Sequence, residues 1–268
     1  MTEAAIIVAS TVTKLPAICA GAVLVTGSHG GAYPGRIVIG ATLRAAIFHD
    51  AGIGREEAGV ASLALLQDIG IAGASVSHWS ARIGDTDDMM RRGKISRANL
   101  AALAAGVTVG MACADAAKLL RGAPWRIGET PPHEEARVVR AGGVRPLVLI
   151  DSASLVDAAA DVGAVIVTGS HGGLVGGDPA KALRADGYAA AYNDAGIGID
   201  GAGCTRLPAL EARGIAAITV AAASARIGEA RSTFEDGLIS AANPTAMRRG
   251  AAVGRHAREV LHAWCNER

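Results

Sequence analysis

The sequence predicts an α/β fold in two tandem, pseudo-symmetric repeats, each a mostly parallel sheet of about four strands flanked by helices. Three observations lead there. Ordered motifs occur twice, short apolar runs alternate with helical patterns, and glycine-rich loops follow the apolar runs.

The repetition is direct. Residues 21–31 read GAVLVTGSHGG and residues 163–173 read GAVIVTGSHGG, with ten of eleven positions identical. DAGIG at 50–54 returns at 194–198, SARIG at 80–84 returns at 224–228, and GKISRAN at 93–99 returns as GLISAAN at 237–243. The offset is 142 residues for the first motif and 144 for the others, so chance is excluded. The expected organisation is a first α/β unit over 1–122, a polar linker with two adjacent prolines over 123–144, and a second α/β unit over 145–268.

Within the second unit, residues 146–151 (PLVLID) read as a strand, and 152–163 as a helix that Ser152 or Ser154 caps and Gly163 stops. Residues 164–168 form a strand that runs into the glycine-rich loop. Asp178 and Pro179 carry the cap-then-proline signature of a helix start. Residues 188–192 form a third strand, after which Asp200 caps a helix ending at Gly214. Residues 218–220 form a fourth strand, followed by the SARIG loop, a helical turn and a final helix opened by Asn243 and Pro244. The first unit repeats this scheme. Gly106/Gly110 and Gly250/Gly254 are expected inside the final helices, where they would allow close helix contact. Asn99 and Asn243 are expected as N-caps, and Asp85 and Glu229 as first-turn acids.

Composition narrows the classes. Half of the residues are hydrophobic and 19% are charged, so the chain can bury a core and is not of the disordered class. A net charge of +1 and 3% aromatic residues do not suit a nucleic-acid binder. The apolar run over 15–25 is too short for the roughly 18 residues of a membrane span. No membrane partner is therefore expected. Cys19, Cys113, Cys204 and Cys265 are far apart and read as reduced thiols, and the start of the chain does not read as a signal peptide, so a cytoplasmic location is expected. Duplication commonly preserves the two-fold contact of an ancestral dimer, so a homo-oligomer is expected as well.

Strand–helix alternation with right-handed crossovers brings the loops that follow strands to one edge of each sheet, where α/β proteins bind ligands. The candidate residues lie in those loops. Ser28 and Ser170, followed by His29 and His171, sit in a small-x-Ser-x-Gly setting similar to a nucleophile elbow, with Thr26 where that motif has glycine. Gly30, Gly31, Gly172 and Gly173 would let backbone N–H groups meet an oxyanion. Asp50 and Asp194 are candidate acid/base groups. Arg82 and Arg226, with Ser80 and Ser224, would hold a small anion, unless an internal pair such as Arg82 with Asp50 takes the guanidinium.

These assignments lead to an enzyme of small-molecule metabolism, a hydrolase of a small anionic amide, lactam or ester, with no cofactor. One alternative is a divalent metal held by His29, His49 and Asp50 in a lyase or hydrolase. The other is a binding module for an anionic metabolite, without chemistry. The halves also differ. Lys14, His49, His78, Trp79 and Lys94 are replaced by Val156, Asn193, Ala222, Ala223 and Leu238, so the first half is the richer in titratable groups. Either one half alone is active, or the two contribute to one composite site.

Overall fold

The computed structural model describes residues 3–132 and 135–268. Contacts divide the chain into two compact units. One holds Met1–Ile53, Glu57–His133 and Gly198–Asp200; the other holds Gly54–Glu56, Glu134–Ile197 and Gly201–Arg268. Each is an α/β layer structure, as the alternating pattern predicts.

The first unit carries five strands, β1 (Ile6–Ala9), β2 (Val23–His29), β3 (Ala45–His49), β4 (Ala72–Val76) and β5 (Ile95–Ala98), in spatial order 1-2-3-4-5. The first four run parallel and β5 is antiparallel to β4. Its helices are α1 (Ala32–Gly40), α2 (Ser62–Ile69), α3 (Thr86–Arg92), α4 (Leu100–Ala104) and α5 (Cys113–Leu120). Strand periodicity sends alternate side chains to opposite faces. Leu24, Ala46 and Phe48 pack with Val38, Ile39 and Leu66 of α1 and α2. Val23, Val25, Ala45 and Ile47 pack with Met89, Cys113 and Leu120 of α3 and α5. Both faces are covered, which is why these strands read as continuous apolar runs.

The second unit carries six strands, β6 (Arg137–Arg140), β7 (Leu147–Ile150), β8 (Val165–His171), β9 (Ala189–Asn193), β10 (Ala216–Val220) and β11 (Ile239–Ala242). They lie in order 11-10-9-8-7-6, with the inner four parallel and both outer strands antiparallel. Its helices are α6 (Arg206–Glu211), α7 (Ala230–Glu235), α8 (Pro244–Arg248) and α9 (Ala257–Asn266).

Several expectations are corrected. Residues 152–163 form no α-helix. A 3-10 turn at Ala153–Leu155 is followed by a loop in which Asp157 Oδ1 accepts from the N–H groups of Ala159 and Ala160, bonds that compete with a helical ladder. Asp178 caps only the 3-10 turn Pro179–Lys181. Asp200 caps nothing: its φ is +58° and its carboxylate bonds to arginines within the first unit. Gly106, Gly110, Gly250 and Gly254 all have positive φ and lie outside the helices, Gly106 and Gly250 just past the ends of α4 and α8, Gly110 and Gly254 in the turns before α5 and α9. The segment expected as a linker contributes β6, whose Arg137 pairs with the buried Asp161. Asn99 and Asn243 do cap helices, each Oδ1 accepting the N–H three residues on at 2.9 Å. His133, between the prolines and β6, lies outside the described residues. No helix among the described residues is long and apolar enough to cross a membrane.

Candidate functional site

The three repeated loops of the first unit meet at the C-terminal ends of β2, β3 and β4, and hydrogen bonds join them. Gly30 N–H donates to His49 O (2.9 Å), Gly84 N–H to Gly27 O (2.9 Å) and Asp50 N–H to Val76 O (2.8 Å). β2 runs through Gly-Ser-His rather than ending before them, because His29 pairs with His49 in the sheet. Gly27 has no room for a side chain: a Cβ there would stand 2.8 Å from the Gly84 carbonyl carbon.

Most predicted site groups are occupied in building these loops. Ser28 Oγ accepts from Val12 N–H (3.1 Å), and Ser170 Oγ from Ala153 N–H (2.9 Å). Neither serine hydrogen-bonds a histidine among the described residues. Gly31 N–H donates to His29 Nδ1 (3.1 Å) and Gly173 N–H to His171 Nδ1 (3.2 Å), while Gly172 N–H donates to Asn193 O (2.8 Å). The amide groups of all four glycines thus point into the loops. Ser80 Oγ donates to Ser77 O (2.9 Å) and accepts from Lys94 N–H (2.8 Å), and Ser224 Oγ does the same with Ala221 O and Leu238 N–H. Arg82 does not pair with Asp50. Its guanidinium holds Asp200 (2.9 Å), in the same compact unit, and Arg226 holds Glu229 and Glu56, likewise in one unit.

The DAGIG loop turns left-handed over residues 51–54, where φ lies between +49° and +74°. Glycine takes this conformation freely, but Ala51 and Ile53 are strained by it. The carboxylate of Asp50 holds the turn. Its Oδ1 accepts from Gly52 N–H (3.1 Å), from His78 N–H (2.9 Å) and from the His78 ring at Nδ1 (2.9 Å). Burial pushes the Asp50 carboxyl up, but the His78 hydrogen bond and the neighbouring His49 and His78 outweigh it, and the group lies below its ordinary value. Asp194 makes the backbone bonds alone, from Gly196 and Ala222 N–H (both 2.8 Å).

His49 is fully engaged: Nδ1 accepts from Ala51 N–H (3.1 Å) and Nε2 donates to Ala81 O (3.0 Å). Burial is the main reason its pKa lies below the usual value. His29 is held at about 4 by burial and by His49. It is therefore neutral at pH 7, and because Nδ1 is an acceptor its proton sits on Nε2. Of the ligands in the metal alternative, His29 and His49 spend their Nδ1 lone pairs on loop amides, and no group of three His, Cys, Asp or Glu among the described residues is arranged to hold a metal ion. Cys113 is buried and its thiol is pushed up to about 12, as expected of a core cysteine.

The residue of consequence is His78, which the repeat comparison marked only as a difference between halves. Asp50 fixes its Nδ1–H, leaving Nε2 with no hydrogen-bond partner among the described residues. Comparison with known families, curated proteins and solved structures gives no match.

Proposed function

We propose that the first unit is a hydrolase of a small anionic amide, lactam or ester, in which His78 activates water and Asp50 orients His78. The observation that carries this reading is the 2.9 Å bond between Asp50 Oδ1 and His78 Nδ1, which leaves Nε2 as the basic ring nitrogen. A buried carboxylate on one imidazole nitrogen sets the tautomer and stabilises the imidazolium that forms when the other nitrogen takes a proton. Water is the nucleophile in this reading because neither Ser28 nor Ser170 has a base at its hydroxyl among the described residues. The neutral His29, with its proton on Nε2, supplies a donor toward developing negative charge. Asp194 has no histidine partner among the described residues, since Ala222 stands where His78 does, so in this reading the second unit takes no part in the chemistry.

The test is turnover of a panel of small anionic amides, lactams and esters by the wild-type chain and by His78→Ala. Loss of a general base lowers kcat by about a hundredfold to ten-thousandfold. Because alanine occupies the matching place in the second unit, the variant is expected to keep the fold, checked by circular dichroism. Equal turnover by the two proteins overturns the assignment.

A further inference from the structure

The loop that carries His78 is built twice on the same backbone frame. In the first unit Ser77 N–H donates to Lys94 O (2.9 Å) and Lys94 N–H to Ser80 Oγ (2.8 Å). In the second, Ala221 N–H donates to Leu238 O (2.8 Å) and Leu238 N–H to Ser224 Oγ (2.9 Å). The frames match bond for bond, but the groups mounted on them do not. His78, Trp79 and Lys94 in one unit answer to Ala222, Ala223 and Leu238 in the other.

Folding does not require the three first-unit groups, since alanine and leucine serve the same frame. Trp79 is 66% exposed and its ring lies 4.7 Å from that of His78, tilted by 43°. A large aromatic left in water forgoes much of the stabilisation that burial would give it. Lys94 is exposed and has no ion-pair partner among the described residues. The frame thus holds the exposed indole of Trp79 and the backbone of Lys94 at the loop of the one imidazole that Asp50 orients.

We infer that the His78–Trp79–Lys94 loop binds a small molecule carrying a planar unsaturated ring and a negatively charged group, the ring stacked on Trp79 and the charge on Lys94. This narrows the substrate class of the proposed hydrolase and rests on that reading for its biological meaning. Stacking on indole selects flat rings over puckered ones, because the contact area and the quadrupole interaction both need a π face. A single lysine acts as a point charge for carboxylate or phosphate, without the geometric selectivity of an arginine fork.

The test uses the full chain, with binding read from the indole N–H signals of isotope-labelled protein by NMR and the Trp79 signal assigned by its loss in Trp79→Ala. Three probes are titrated: benzoate, cyclohexanecarboxylate and benzamide. Benzoate is expected to shift the Trp79 signal saturably. Cyclohexanecarboxylate, which keeps the charge but lacks the flat ring, and benzamide, which keeps the ring but lacks the charge, should each bind about threefold to tenfold more weakly. Lys94→Leu should bring benzoate down to the level of benzamide and leave benzamide unchanged. No saturable shift with benzoate overturns the inference, as do equal affinities for the three probes or an unchanged benzoate affinity in Lys94→Leu. Binding needs no turnover. A chain that binds benzoate selectively but hydrolyses nothing keeps this inference and drops the hydrolase, and one whose turnover depends on His78 without ring or charge selectivity does the reverse.

Discussion

Position 49 is histidine and its counterpart 193 is asparagine, yet the two side chains make the same pair of bonds. His49 accepts from Ala51 N–H and donates to Ala81 O; Asn193 Oδ1 accepts from Ala195 N–H (2.9 Å) and Asn193 Nδ2 donates to Ala225 O (3.0 Å). The role asks for one acceptor and one donor at fixed places, and either residue type meets it. Positions 78 and 222 behave differently. The backbone N–H bonds to the aspartate in both halves, but the imidazole adds a second, side-chain bond that alanine cannot supply. The two halves therefore separate what builds the loop from what is added to it, and only the addition has acid–base chemistry to offer.

The sharpest way to break this comparison is to alter the two aspartates in parallel. Asp50→Asn keeps an oxygen for Gly52 and His78 N–H but removes the charge that supports a histidinium. Turnover should fall by about a hundredfold or more, while Asp194→Asn leaves it unchanged. The measurement is kcat on any substrate the wild type hydrolyses. Equal losses would place the two aspartates in one chemical role and undo the distinction between halves.

The parallel sheets were legible in the sequence because apolar runs alternate with helical patterns, and the gathering of the loops because each follows a strand. The antiparallel edge strands were not. β5 reads ISRA and β11 ISAA, without an apolar run, and β6 has two valines between arginines on an exposed edge. Ser28, Ser80 and Arg82 have the residue types of a catalytic site, and nothing in one dimension distinguishes a serine that accepts a loop N–H from a nucleophile. His78 stands 28 positions beyond Asp50, so their meeting becomes visible only when β3 and β4 are placed side by side.

A second pair of positions sharpens the contrast in stability. Ser62 is fully buried, and its hydroxyl has no partner among the described residues. Its counterpart Arg206 is also buried, but donates from Nε to Gly173 O (3.1 Å) and from its terminal nitrogen to the carbonyls of Lys181 and Ala182, with Tyr192 beneath it at 5.0 Å. That guanidinium ties the second glycine-rich loop to the segment standing where the first half has α1. Arg206→Met should destabilise the protein by about 2–4 kcal/mol by leaving buried carbonyls without donors. Ser62→Ala removes an unsatisfied group and should stabilise it by up to about 1 kcal/mol. Shifts of the urea midpoint in the same direction for both would refute the contrast.

The smallest effect tests the equivalence of histidine and asparagine. His49 is buried and its pKa is lowered, so the unfolded chain takes up a proton at this residue as pH falls below about 6.5, when the folded chain does not. The stability tied to the neutral imidazole is whole above that pH and is lost on acidification. His29 adds to the same loss, down to its own value of about 4. His49→Asn keeps both loop bonds, as Asn193 demonstrates, and removes one of the two titrating groups. Urea unfolding should find the variant within about 1 kcal/mol of wild type at pH 8 and progressively more stable than wild type as pH falls from 6.5 toward 4. If the two proteins lose stability in parallel over that range, His49 is protonated in the fold, and a histidine that accepts no proton is no longer what asparagine replaces.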